Sequence, residues 1–155
     1  MARFVFQLEG VLRHRERIEQ NRQRELAVVQ AEMTRLEREL AAMNDDLQRS
    51  TAEVRDHHLV GRLDMQYLAA HRRYMLGMQR KVIALAETMG QQKQRVEQAR
   101  AALAEASKQK KILEKLRERQ HQQWAAGLAR AEANALDELS TQMSFRELES
   151  VEDPT

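Results

Sequence analysis

Between Leu26 and Val54, nine positions recur in steps that alternate between three and four residues, and eight of them are apolar. Leu26, Val29, Met33, Leu36, Leu40, Met43, Leu47 and Val54 carry the pattern, with Ser50 as the polar member. An average step of 3.5 residues keeps one seam facing a partner helix, which is the a/d signature of a coiled coil. Val82, Leu85, Met89, Gln92, Val96, Ala99, Leu103, Ala106, Lys110 and Leu113 repeat the same alternation. The lone proline is Pro154, so nothing before it obliges a helix to break. Aromatic residues make up 4% of the 155 and charged residues 32%. That is too few large rings for a compact core, and more charge than the roughly 25% of an average domain. The regular apolar spacing also argues against disorder. The chain reads as all-α.

Upstream, Phe4, Leu8, Val11 and Ile18 extend the first seam, with Arg15 and Arg22 at seam positions, so a phase shift is expected between residues 15 and 25. Downstream, Leu116, Trp124, Leu128, Ala131, Leu139 and Met143 carry an apolar stripe less regularly. Between the two seams lies HHLVGRLDMQ, residues 57–66. Gly61 suits a left-handed helix terminus and Asp64 suits an N-cap. Leu59, Leu63 and Leu68 supply apolar packing to this turn. One unbroken helix in a parallel dimer is the competing reading, and the glycine followed by a capping aspartate favours a hairpin. A short connection makes the helices antiparallel. The expected architecture is a long two-helix antiparallel coiled-coil hairpin, residues 1–145, with helix 1 over about 3–57, a turn at 58–64 and helix 2 over about 65–144. Folding about residue 61 sets Phe4 opposite about residue 118. The last ~25 residues of helix 2 then form a single-helix C-terminal overhang about 37 Å long at 1.5 Å per residue. Residues 146–155, RELESVEDPT, read as a disordered acidic tail.

Several function classes are disfavoured. The chain has no cysteine, which removes thiol chemistry, disulfides and cysteine-based zinc sites. Of the five histidines (His14, His57, His58, His71 and His121) no two share a helix face at i, i+4. A two-helix hairpin also offers no concave, partly dry pocket for catalysis, and no glycine-rich phosphate loop is present. The expectation is therefore a non-enzyme without metal or other cofactor. No run reaches the 18 apolar residues of a membrane span, and MARFVFQLEG is too short and too soon charged for a secretory signal, so a cytoplasmic chain is expected. Net charge is +2, which gives no general reason to bind nucleic acid.

Charge is nevertheless uneven. Residues 91–121 hold nine basic and four acidic side chains, against one and seven in residues 132–155. Lys108, Lys110, Lys111, Lys115, Arg117 and Arg119 wind round helix 2 with Glu114 and Glu118 between them, and a solvated face is the plainer reading. Tyr67, Tyr74 and Met78 follow the turn at steps of seven and four. They are either packing that closes the hairpin or a contact patch, since aromatics and Met are enriched at interface cores. Trp124, the only tryptophan, falls in the overhang beyond helix 1, where an exposed ring suggests a partner.

The opening FVFQLEGVLRHRERIEQNRQRELA, the segment LDMQYLAAHRRYMLGMQRKV after the turn and the late stretch KKILEKLRERQHQQWAAGLARAEANALDEL together resemble the FliJ family of flagellar type III export proteins. The resemblance covers most of the chain. It implies a stalk similar to the central subunit of rotary ATPases, which stimulates the hexameric export ATPase, links it to the transmembrane export gate and escorts export chaperones. By that resemblance, Tyr67, Tyr74 and Met78 would lie at the gate end. Phe4, Leu8, Lys115, Arg119, Trp124 and Leu128 would lie at the ATPase end. The chain would be a monomer at the cytoplasmic face of the inner membrane, peripherally associated with the flagellar basal body and not inserted. Two other readings share the periodicity: the equivalent stalk of a virulence type III secretion system, and a dimeric coiled-coil scaffold. A monomer near 18 kDa separates the stalk from a stable parallel dimer.

Overall fold

The computed structural model describes residues 3–151, with side chains described as far as Arg146. Helix α1 spans Glu9–Glu53 and runs on into a π-helical turn, Val54–His58; helix α2 spans Met65–Val151. The two helices pack against each other as an all-α hairpin. Two compact units are distinguished: a turn unit, Arg17–Ser107, and a terminal unit made of Met1–Glu16 with Lys108–Thr155.

In the turn unit, every seam position named from the sequence is buried or half-buried, from Leu26 to Val54 on α1 and from Val82 to Ala106 on α2. Leu36, Val54, Met78, Leu85, Val96 and Ala106 are the most enclosed apolar side chains. Burial of each of the Leu, Val and Met side chains among them contributes about 1.5–3 kcal/mol when complete. Polar seam members find partners across the interface. Ser50 Oγ lies 3.2 Å from His71 Nδ1, and Gln92 Nε2 donates to the Val29 carbonyl at 2.9 Å. Both pairs straddle residues 60 and 61 symmetrically, which places the fold-back where the sequence put it. The Ser107 hydroxyl donates to Glu19 on the other helix. Outward faces carry ion pairs at helical spacing: Arg35 donates to Glu32 at 2.7 and 3.1 Å and to Glu39 at 3.4 Å. Those bonds hold the Glu32 carboxyl below its ordinary range.

Gln92 is 5% exposed, the one buried polar residue in the described interior. Its amide adds a second bond to a carbonyl that already serves its own helix, so an apolar replacement leaves no orphaned backbone group. Gln92→Leu should therefore keep the fold and raise its stability by about 1 kcal/mol, read as a higher midpoint in thermal unfolding. A lower midpoint would mean that the amide–carbonyl bond outweighs its desolvation cost.

The expected phase shift near residue 15 does not occur. Leu12, 1% exposed, leads to Leu26 in steps of three and four through the half-buried Arg15 and Glu19 and the exposed Arg22, whereas Val11 is 44% and Leu8 37% exposed. Tracing the seam through Leu8 and Val11 picked the wrong neighbour, because polar residues occupy the true line. Helix α1 also starts at Glu9 rather than residue 3. Its first turn is preceded by a tight bend in which Glu9 N–H donates to the Phe6 carbonyl at 3.2 Å. Glu9 sits favourably at the positive end of the helix dipole and pairs with Arg13 at 3.7 Å and Arg117 at 3.6 Å.

At the turn, Gly61 takes φ +89°, the left-handed conformation that glycine adopts without strain. Asp64 caps α2: its Oδ1 accepts from Gln66 N–H at 3.0 Å and Tyr67 N–H at 3.1 Å. Leu59 and Leu63 do not pack as expected. Both are 53% exposed, and Leu68 alone of the three is half-buried. Helix α2 continues to Val151, past the predicted end near 144 and into the stretch read as a disordered tail. Residues 152–155 of that tail lie outside the described residues.

Candidate functional site

The turn unit divides the three residues singled out after the turn. Met78 is 9% exposed and belongs to the seam, so it presents no surface. Its spacing put it on a stripe with Tyr74, but four residues on a helix turn through about 400°, and that small offset carries it inward. Tyr67 is half-buried, with its ring stacked on His58 at 3.7 Å and 18°. Its backbone is held by the Asp64 cap. Tyr74 is 43% exposed, with His71 at 6.4 Å. What the structure presents at this end is therefore Tyr74 together with Leu59, Val60, Leu63 and Met65, the last four more than half open. The signal was in the sequence: five of the seven residues in 59–65 are neither charged nor polar, and no described residue covers Leu59, Val60, Leu63 or Met65. A shallow apolar groove lies further along the same unit, between Leu40, Ala41 and Leu47 of α1 and Val82 and Met89 of α2.

In the terminal unit, residues 3–6 run in non-helical conformation along α2. Phe6 is buried, at 6% exposure, and was not singled out from the sequence. Phe4 sets its ring edge-on to His121 at 5.1 Å and tilted to Trp124 at 5.9 Å, with His121 and Trp124 themselves 5.9 Å apart. Trp124 is consequently half-buried and not left wet. The expectation that helix 1 stops short of it assumed helical rise throughout. Residues outside a helix can advance up to about 3.3 Å each against 1.5 Å in one, so the non-helical N-terminal strap reaches His121 and Trp124, beyond the predicted level of residue 118. Arg117, paired with Glu9, joins Phe4, Glu114, Glu118 and His121 around a small groove.

Of the six residues assigned to this end, Phe4 and Trp124 come together, and Leu8 stands 37% exposed at the foot of α1. Lys115 and Arg119 are exposed one turn apart on α2. Leu128 is 38% exposed, the first large apolar residue beyond the strap. From Ala125 to Arg146 every described side chain is exposed, including Leu136, Leu139 and Met143. Helical spacing puts Trp124, Leu128, Ala135, Leu139 and Met143 within one broad stripe.

Among the described residues, no cluster of three His, Cys, Asp or Glu side chains could hold a metal ion, and no helix is long and apolar enough to cross a membrane. What the described residues offer here is a group of aromatic rings, two exposed cations and an exposed apolar stripe. The family described as flagellar FliJ protein matches residues 4–149. No curated protein and no solved structure matches the chain.

Proposed function

The chain belongs to the FliJ family, proteins of flagellar export, and from that premise we propose that it serves as the stalk of the export apparatus. In this reading the terminal unit seats in the ring of the hexameric export ATPase and stimulates it. The turn end, through Tyr74 with Leu59, Val60 and Leu63, meets the transmembrane export gate at the cytoplasmic face of the inner membrane. Export chaperones are further partners, and the apolar groove beside Leu40 and Met89 suits a helix of such a partner. The protein supplies contacts and coupling, while the ATPase supplies the chemistry.

One observation carries the reading: beyond Trp124, α2 proceeds with an apolar stripe that no described residue covers. Large exposed apolar stripes mark partner surfaces. The cations beside it, Lys115 and Arg119, would be drawn to an acidic lumen and would set the speed and orientation of entry. Both side chains are exposed, so reversing them leaves the fold intact. Lys115→Glu with Arg119→Glu should weaken the stimulating interaction with the cognate ATPase at least tenfold, with helicity unchanged. Raising salt should weaken the unmodified protein's effect in the same direction, since exposed charges are screened over about 8–10 Å. Full stimulation by the double variant would remove these residues from the contact.

A further inference from the structure

Helix α2 carries a second stripe that the hairpin does not use. Leu76, Gln79, Ile83, Ala86 and Gly90 repeat the seam's alternation of three and four, one residue further on, and all five are exposed. Ile83 is 68% and Leu76 48% open. At Gly90 the surface is notched, with Lys93, Gln94 and Glu97 around it, and an added Cβ would meet nothing within 4 Å. A single exposed leucine is ordinary; an exposed stripe in heptad register, with a bulky residue seven positions to one side of Ile83 and a hole seven positions to the other, is not.

We propose that this stripe is a self-association surface, on which α2 of a second copy of the chain lies antiparallel about a twofold axis at Ile83. Such an axis sets each residue against the one equally far beyond Ile83 on the other copy. Ile83 then meets its own counterpart, and Leu76 of each copy fills the notch at Gly90 of the other. Arg80 of one copy comes beside Glu87 of the other, twice over; neither is in an ion pair among the described residues. A parallel arrangement would oppose Leu76 to Leu76, leave both notches empty and hold Arg80 and Glu87 of the two copies on opposite flanks, where they do not meet. Shape and charge therefore choose the antiparallel pair. The contact is one helix wide and a few turns long, below the roughly 1,200 Å² of a standard stable interface, so the dimer is reversible and forms as concentration rises.

The chain's lack of cysteine makes the test direct. Leu76→Cys and Gly90→Cys variants, each exposed and free of contacts that the change would break, are mixed and mildly oxidised. The 76–90 heterodisulfide should exceed either homodisulfide at least tenfold. Ile83→Cys alone should form a homodisulfide, while Val28→Cys, equally exposed at 68% but on α1, should not. In sedimentation equilibrium the mass of the unmodified chain should climb above 18.1 kDa with concentration, and Ile83→Glu should hold it there while helicity is unchanged. Homodisulfides at 76 equalling the heterodisulfide would overturn the antiparallel pairing. A mass fixed at 18.1 kDa at all concentrations would overturn the surface itself.

Discussion

Cutting the chain after Gly127 should abolish its stimulation of the export ATPase and leave the rest of the protein folded. The cut removes Leu128, Leu136, Leu139, Met143 and Phe145, large apolar side chains that no described residue covers. It spares Phe4, His121 and Trp124, whose rings close the terminal unit, and the Glu9–Arg117 ion pair beside them. A cut after Leu116 would be a poorer test, because it also strips away the partners of the N-terminal strap, so lost function could reflect loosening of residues 3–8. With the later cut, far-ultraviolet circular dichroism should fall only in proportion to the helix removed. Retained stimulation would mean that the bare segment is not what the ATPase grips.

The largest stability effect should come from Leu36→Asp. Leu36 is 3% exposed at the middle of the α1 seam, and no Lys or Arg is among the buried residues described. A carboxylate there loses its hydration without gaining a partner, and the cavity left by the shorter side chain adds to the cost. Several kcal/mol are at stake, against a total of about 5–15 for an ordinary domain. The variant should lose most of its helical signal at room temperature. Val28→Asp, at a position 68% exposed on the same helix, should be close to neutral. If both variants behave alike, the seam is not the core.

Much of this architecture was legible because heptad spacing reports burial directly. Every seam position read between Leu26 and Val54, and between Val82 and Leu113, lies inward. Gly61 and Asp64 gave the turn and its cap for local reasons, one being backbone freedom and the other a side-chain acceptor. The errors fall where periodicity is uninformative. Between Leu12 and Leu26 the seam is filled by Arg15, Glu19 and Arg22, and a hydrophobic pattern cannot be followed through charges. At the N-terminus, Phe4 and Phe6 pack from a non-helical strap whose reach no helical count could supply. Met78 and Tyr74 looked like one stripe because sequence spacing fixes angles only to within tens of degrees, while burial turns on less than that. Lys115, Arg119 and Leu128 are exposed, as a contact surface requires. That exposure identifies a surface and leaves its occupant to be tested.

The most direct test is to titrate the purified full-length chain into a fixed amount of its cognate export ATPase and follow the rate of ATP hydrolysis at low salt. A stalk seated in a ring leaves room for one copy in each hexamer. The rate should therefore rise and reach its plateau at one chain per six ATPase subunits. A rate that does not change, or that plateaus at one chain per ATPase subunit, would contradict the stalk.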